Sequence, residues 1–108
     1  MKNLINLFNE GLRAEVPFVL VTVVDVCGSA PQSAGARMIV FADKTIIGTV
    51  GGGCVEGEVI QEAIKMLVYN NEKEIKIIKV DLTDEIGNKD GDICGGSMFF
   101  LLEKISNN

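Results

Sequence analysis

Three consecutive glycines, Gly51-Gly52-Gly53, separate two kinds of hydrophobic periodicity in this chain. Before them, Arg37–Ala42 and Thr45–Val50 are short β-rich runs divided by Asp43-Lys44, the pattern of a β-hairpin, although Asp-Lys is a poor pair for a two-residue type I′ turn. After them, Val55, Val59, Ile60, Ala63, Ile64 and Leu67 mark one face of a helix, opposite Glu58, Glu62 and Lys65. A chain that passes from a period of 2 to a period of 3.6 within three residues needs a sharply turning backbone, which glycine permits. The central unit is therefore strand, glycine loop, helix, and the other elements have to pack around it.

Those elements are legible in outline. Leu4, Leu7, Phe8 and Leu12 recur at helical spacing behind a capping Asn3; Gly11 weakens that helix and Pro17 ends it. Phe18–Val26 is almost uniformly apolar and β-branched, as expected of a strand covered on both faces. Small turn residues fill Gly28–Gly35, and Asn70-Asn71 is a helix stop. Ile75–Leu82 reads as a strand with one face partly wet, Thr83–Asp92 as an acidic loop, and Ser97–Leu102 as a last strand. The expected fold class is α/β: a mixed β-sheet of about five strands with one main helix packed on it, plus an N-terminal helix. With 108 residues and neither repeat nor linker, residues 1–108 are expected to form a single domain.

Composition narrows the function. A net charge of −5 with no basic cluster argues against nucleic acid or an anionic membrane surface as partner. No apolar run is long enough to cross a bilayer, and the N-terminus is a poor signal peptide, so a cytoplasmic protein with reduced thiols is expected. With no histidine and three scattered cysteines, Cys27, Cys54 and Cys94, neither a Cys/His zinc site nor a triad with a histidine base can be assembled.

What remains is a set of loops. A glycine turn before a helix N-terminus presents amides and positive dipole to an oxyanion, but the same glycines also suit an empty tight turn. Cys54, in or near the first helical turn, is placed for a lowered thiol pKa, against the alternative of a buried structural cysteine. Cys94-Gly95-Gly96 likewise sets a thiol beside an approachable backbone. Cys27, at the end of an apolar strand, is expected to be structural. An EF-hand register on Gly91 would put Ile86 and Ser97 at the first and last ligand positions, so the acidic loop is read as a solvated turn. Gly51, Gly53 and Gly57, with Asp81 near the end of the next strand, permit a dinucleotide-binding reading, weakened by Glu56 in the third glycine position.

Four blocks taken together, Gly28-Ser29-Ala30-Pro31, Gly35-Ala36-Arg37-Met38, Gly48-Thr49-Val50-Gly51-Gly52-Gly53-Cys54-Val55-Glu56 and Cys94-Gly95-Gly96, closely resemble the N-terminal domain of the XdhC/CoxI family, the xanthine dehydrogenase accessory factors. The resemblance covers essentially the whole chain. It implies a chaperone for molybdenum hydroxylases rather than an enzyme, one that binds molybdenum cofactor (molybdopterin), protects it while a cysteine desulfurase installs its sulfur, and delivers it to the apo-enzyme. Carried over by motif, Cys54 and Cys94 are the thiols expected to contact the cofactor and its metal. Gly51, Gly52, Gly53, Gly95 and Gly96 are the approachable backbone, Arg37 the anion partner, and Ser29 a hydrogen-bond donor. The sequence departs from the family in two places. Longer relatives continue into a Rossmann-like C-terminal domain, and Gln32 stands where they often carry a basic residue. The first departure raises the expectation of a homo-oligomer or of a separate Rossmann-like partner chain, with Phe18–Val26 and Met98–Leu102 as strands that could extend a sheet across the interface.

Overall fold

A computed structural model describes residues 4–27, 34–50, 53–69, 74–81 and 96–106. Seven elements follow in chain order: α1 (Leu4–Arg13), β1 (Phe18–Cys27), β2 (Arg37–Phe41), β3 (Ile46–Gly48), α2 (Gly53–Val68), β4 (Ile75–Asp81) and β5 (Ser97–Ile105). The strands form one sheet in the order β3-β2-β1-β5-β4. The five strands and two helices are those expected. Each described pairing is antiparallel, so the sheet has no parallel component among these strands. The Asn70-Asn71 stop and the Thr83–Asp92 loop lie outside the described residues.

Alternation assigns the two faces of the sheet. Val19, Val21, Met38, Val40, Val80, Met98, Phe100 and Leu102 meet the apolar stripe of α2, to which Met66 adds a fully buried side chain that the expected face had omitted. Phe18, Leu20, Ile39 and Phe41 meet Leu7 of α1 on the other face. Gly11 is where α1 touches the sheet. A Cβ there would stand 2.8 Å from Cζ of Phe18 and 3.0 Å from Cδ1 of Ile39, so the residue that weakens the helix also lets it dock.

Three local features depart from the sequence reading. The hairpin loop has three residues, Ala42-Asp43-Lys44, rather than two. The Lys44 amide donates to the Phe41 carbonyl, the Phe41 amide donates to the Thr45 carbonyl, and Lys44 takes a φ of 75°. This is the type I turn closed by a left-handed residue, which explains why the poor I′ propensity of Asp-Lys does not matter. The Asp43 carboxylate accepts the Thr45 amide at 2.9 Å, and the Thr45 hydrogen bonds hold its pKa below the usual value.

Secondly, β1 is covered on both faces only over its first half. Its pairing with β5 slips between Val23 and Asp25, leaving Val24 as a bulge. Beyond the slip Val26, not Cys27, turns toward α2, and Cys27 is exposed. The expectation of a structural Cys27 is therefore corrected: one extra residue reverses the alternation. Thirdly, β1 and β5 are interior strands, so the segments Phe18–Val26 and Met98–Leu102 cannot extend the sheet across an interface. The sheet's edges are β3 and β4, and Ile75 and Ile77 of β4 stand 60% and 65% exposed on the face away from α2.

Glu62 ties α2 to β4: its Oε1 accepts Nζ of Lys76 at 3.1 Å, with both side chains about three-quarters buried. The Lys76 hydrogen bond is the chief cause of the lowered Glu62 pKa. A carboxyl whose folded pKa lies below its unfolded value of 4.5 adds stability above that value, and loses it as pH falls through the folded one. Glu62→Gln is therefore expected to cost about 0.5–1 kcal/mol at neutral pH and nothing once the carboxyl is protonated. Urea titrations at pH 7 and pH 3 check this, and an equal cost at both would reject the ion pair. Gly48 makes the tightest demand on the hairpin. Its φ is 90°, and a Cβ would lie 2.8 Å from the Arg37 carbonyl oxygen. Gly48→Ala is expected to destabilise by about 2–4 kcal/mol, backbone strain and overpacking together. Chemical denaturation gives the number, and a loss under about 0.5 kcal/mol would mean that β3 does not approach β2 this closely.

Candidate functional site

Because successive strands alternate in direction, one end of the sheet collects six chain ends. These are the exits of β1, β3 and β4 and the entries of β2, α2 and β5. The described residues that border or belong to the motif blocks, Cys27, Gly35–Met38, Gly48–Val50, Gly53 and Gly96, lie at this end. Cys27 of β1 lies opposite Ser97 of β5, which in turn lies opposite Asp81 of β4, so residues 82–95 leave and return at neighbouring positions. Arg37 lies opposite Thr22, five residues short of Cys27. Measured on β5, where Thr22 faces Leu101 and Cys27 faces Ser97, the rim is stepped by four residues, about 13 Å at 3.3 Å per residue, with the entry of β2 on the lower step.

At that step Gly35, with φ 99°, donates its amide to the Val23 carbonyl at 2.7 Å, and Val23 donates to the Ala36 carbonyl at 2.9 Å. Nη1 of Arg37 donates to the Gly35 carbonyl at 3.1 Å. Arg37 alternates with Met38, which faces α2, so its side chain leaves the sheet on the face opposite that helix. On the α2 face, Val50 is fully buried, and α2 starts three residues later at Gly53. One carboxylate spans the gap. Oε2 of Glu56 accepts a hydrogen bond from Oγ1 of Thr49 and another from the Val50 amide at 3.3 Å.

The candidate residues divide by what is described. Gly53 and Cys54 occupy the first turn of α2 as expected, with Cys54 described through its backbone. Gly96, with φ 115°, immediately precedes β5. Gly51, Gly52, Ser29, Cys94 and Gly95 lie outside the described residues. Among the described residues no group of three or more Cys, Asp or Glu could hold a metal ion. The sequence gives Glu56 no role of its own: it ends a family motif block and breaks a glycine pattern. An acidic residue in a helix's first turn was the available signal, since carboxylates there favour the positive end of the dipole.

Two other arrangements compete for attention at the level of geometry. A groove of about 510 Å³ lined by Val16, Pro17, Phe41 and Leu67 lies at the opposite end of the sheet, away from every motif block. The dinucleotide reading fails on topology. It needs parallel strands joined through the helix, whereas β3 and β4, which flank α2 in sequence, are the two opposite edges of an antiparallel sheet. Asp81, its proposed ribose ligand, accepts from Oγ of Ser97 at 3.0 Å and pairs with Lys79 at 3.6 Å, on the face away from α2.

Fold and site together define a small antiparallel sheet backed by one long helix, with the described ends of the motif-bearing segments at one end. The chain belongs to the XdhC and CoxI family, whose profile matches residues 12–76. Relatives in Escherichia coli K12 include the uncharacterized protein YqeB, 35% identical over 86% of this chain, and the molybdenum cofactor insertion chaperone PaoD, 34% identical over 89%. A crystal structure of a xanthine dehydrogenase from Bacillus halodurans superposes with a TM-score of 0.72 at 29% identity, over 92% of this chain and 30% of that one. This chain spans 17% of the length of YqeB and 29% of that of PaoD. No described helix is long and apolar enough to cross a membrane.

The bulge at Val24 makes Cys27 chemically accessible. Native protein treated with iodoacetamide is expected to be alkylated at Cys27 at nearly the rate of the urea-unfolded chain. Peptide mass spectrometry reads this, and a native Cys27 that resists alkylation would place it back in the core.

Proposed function

We propose that this chain serves the maturation of molybdenum hydroxylases by binding molybdenum cofactor at the motif-bearing end of its sheet. The single observation that carries the reading is that the described chain ends bordering the motif blocks, at Cys27, Gly35, Val50, Gly53 and Gly96, fall at that end of the sheet. The relative PaoD, a molybdenum cofactor insertion chaperone by name, supports the choice of ligand.

In this reading Cys54 and Cys94 supply soft sulfur ligands suited to the molybdenum centre. The amides of Gly51–Gly53 and Gly95-Gly96 approach the phosphate and the pterin, and Ser29 adds a hydrogen bond. Arg37 adds positive charge at the same end, by swinging its guanidinium off the Gly35 carbonyl. The cofactor, when bound, brings the redox-active metal and its sulfur; the chain holds and shields it without turnover of its own. A cysteine desulfurase and the apo-hydroxylase are the partners this role requires, in the cytoplasm.

Anaerobic binding of molybdenum cofactor to the wild type, Cys54→Ala, Cys94→Ala and the double variant tests the reading. Each single change is expected to weaken binding about tenfold or more, the loss typical when a group that anchors a metal is removed. Undiminished binding by the double variant would exclude the thiols.

A second reading has its own observation. The β4 edge of the sheet carries exposed Ile75 and Ile77. On this reading the chain is an interaction module that pairs through that edge with a second copy or with a Rossmann-like chain. Ile75→Lys with Ile77→Lys would abolish such pairing and spare cofactor contacts, whereas the cysteine variants would do the reverse.

A further inference from the structure

We propose that the sheet face away from α2 carries a trough beside α1 that receives an amphipathic helix of a second polypeptide, one bearing a basic residue that meets Glu103. The trough needs neither the cofactor nor strand pairing along the β4 edge, because it uses the face of β4 and β5.

Its origin is the uneven cover of this face. α1 lies over β2, and its Leu7 packs with Phe18, Leu20, Ile39 and Phe41. Past β1 no described helix covers the face: Leu101, Glu103 and Ile105 of β5 are half-buried, and Ile75 and Ile77 of β4 are exposed. The register sets these residues in rows. Leu20, Glu103 and Ile75 lie side by side on three neighbouring strands, and Thr22, Leu101 and Ile77 form the next row of the same face. α1 supplies a wall. Ile5, Phe8 and Leu12 recur at i, i+3 and i+7, and Ile5 is 70% exposed. A hollow of about 330 Å³ is bordered by Ile5, Phe8 and Leu20, so this second stripe of α1 looks toward the uncovered strands. A floor and a side wall that are both apolar suit one more helix, packed on the sheet next to α1. Two strands are about 10 Å wide, the diameter of a helix, and the nine residues of β5 run about 30 Å, the length of a helix of about 20 residues.

Glu103 fixes what that helix carries. It stands between Leu20 and Ile75, and its carboxylate has no hydrogen bond or ion pair with a described residue. Covering a charge among apolar neighbours is unfavourable unless the covering surface brings the opposite charge. The occupant is therefore apolar along one face and basic at one position. Neither helix of this chain can supply it, since both are already seated on the sheet. A second copy of the same face has no cation to offer. Among the described residues of β4 and β5 on it the one cation is Lys79, held by Asp81 at 3.6 Å and placed over the Phe99 ring.

The test selects, on the full chain, a display library of helical peptides about 20 residues long, with the apolar stripe fixed and the other positions random. Fluorescence anisotropy measures the selected peptides against the wild type, Ile5→Gln, Ile77→Gln and Glu103→Gln. Circular dichroism reads the bound peptide, sedimentation the free protein, and melting temperatures the fold of each variant. Selected peptides are expected to be helical when bound and to share Lys or Arg at one position relative to the stripe. Either isoleucine change should weaken them about tenfold or more, as loss of one buried apolar side chain implies. Glu103→Gln should weaken them about three- to fivefold, the range of a partly exposed ion pair. Glu103→Lys should instead prefer peptides whose basic residue is replaced by Glu. The proposal is overturned if no peptide is enriched, if binding ignores Ile77→Gln, or if the basic position is absent from the selected sequences. Binding that falls with Ile77→Gln but not with Ile5→Gln, by a peptide that is not helical, would mean strand pairing at the β4 edge. A free protein that sediments as a dimer until Ile77 is changed would mean that a second copy fills the face; both results reject the helix. Should Ile77→Gln fail to fold, Ile5→Gln, on a separate element, decides the apolar contact.

Discussion

The pairing of β1 with β5 is the contact on which the rest of the molecule depends. It joins Phe18 to Ile105 at one end and Cys27 to Ser97 at the other, bringing residues 70 to 87 positions apart in sequence into one ladder. Without it β5 and β4 would be severed from the other three strands, and the face that α2 covers would lose Met98, Phe100 and Leu102. It also decides where function can sit. Because β1 and β5 are antiparallel, the exit of one and the entry of the other fall together, and the motif loops on either side share an end of the sheet.

Periodicity made the elements legible, because each records its own burial pattern. The α2 stripe from Val55 to Leu67 and the apolar run from Phe18 are local consequences of facing a core, and both stand nearly where the sequence puts them. What the sequence did not show are the features that depend on two segments at once. The strand order follows from which ladders pack best, so β1 and β5, the most apolar runs, became interior strands and the more polar β4 an edge. A bulge leaves no mark on composition, so Val24 and the outward turn of Cys27 were not foreseeable. Gly11 is a poor helix residue in isolation and a necessary one against Phe18. The candidate site was legible as motifs, since glycine and cysteine patterns are local. Its stepped geometry was not, and neither was Glu56, whose role appears only when Thr49 and Val50 are brought next to it.

Electrostatics at the motif-bearing end are finely divided. The start of α2 is positive through its unpaired amides, yet Glu56 places a negative charge within its first turn. Arg37, at the entry of β2, is turned onto the Gly35 carbonyl on the other face. With a net charge of −5 the chain does not attract anions at long range. Any anionic ligand has to be held by short directional contacts, and such contacts demand a loop whose amides already point the right way.

That demand bears on why the loop is built from glycine at all. Glycine at positions 51–53 lets the backbone approach a ligand closely, but it leaves the folded loop with the largest entropy to lose. An apolar anchor could not repair this, because the loop has no side chains to bury. The Glu56 carboxylate instead takes hydrogen bonds from the Thr49 hydroxyl and the Val50 amide, which precede the glycines in sequence. The hairpin obeys the same logic at Gly48, where a side chain is excluded so that β3 can lie against the Arg37 carbonyl.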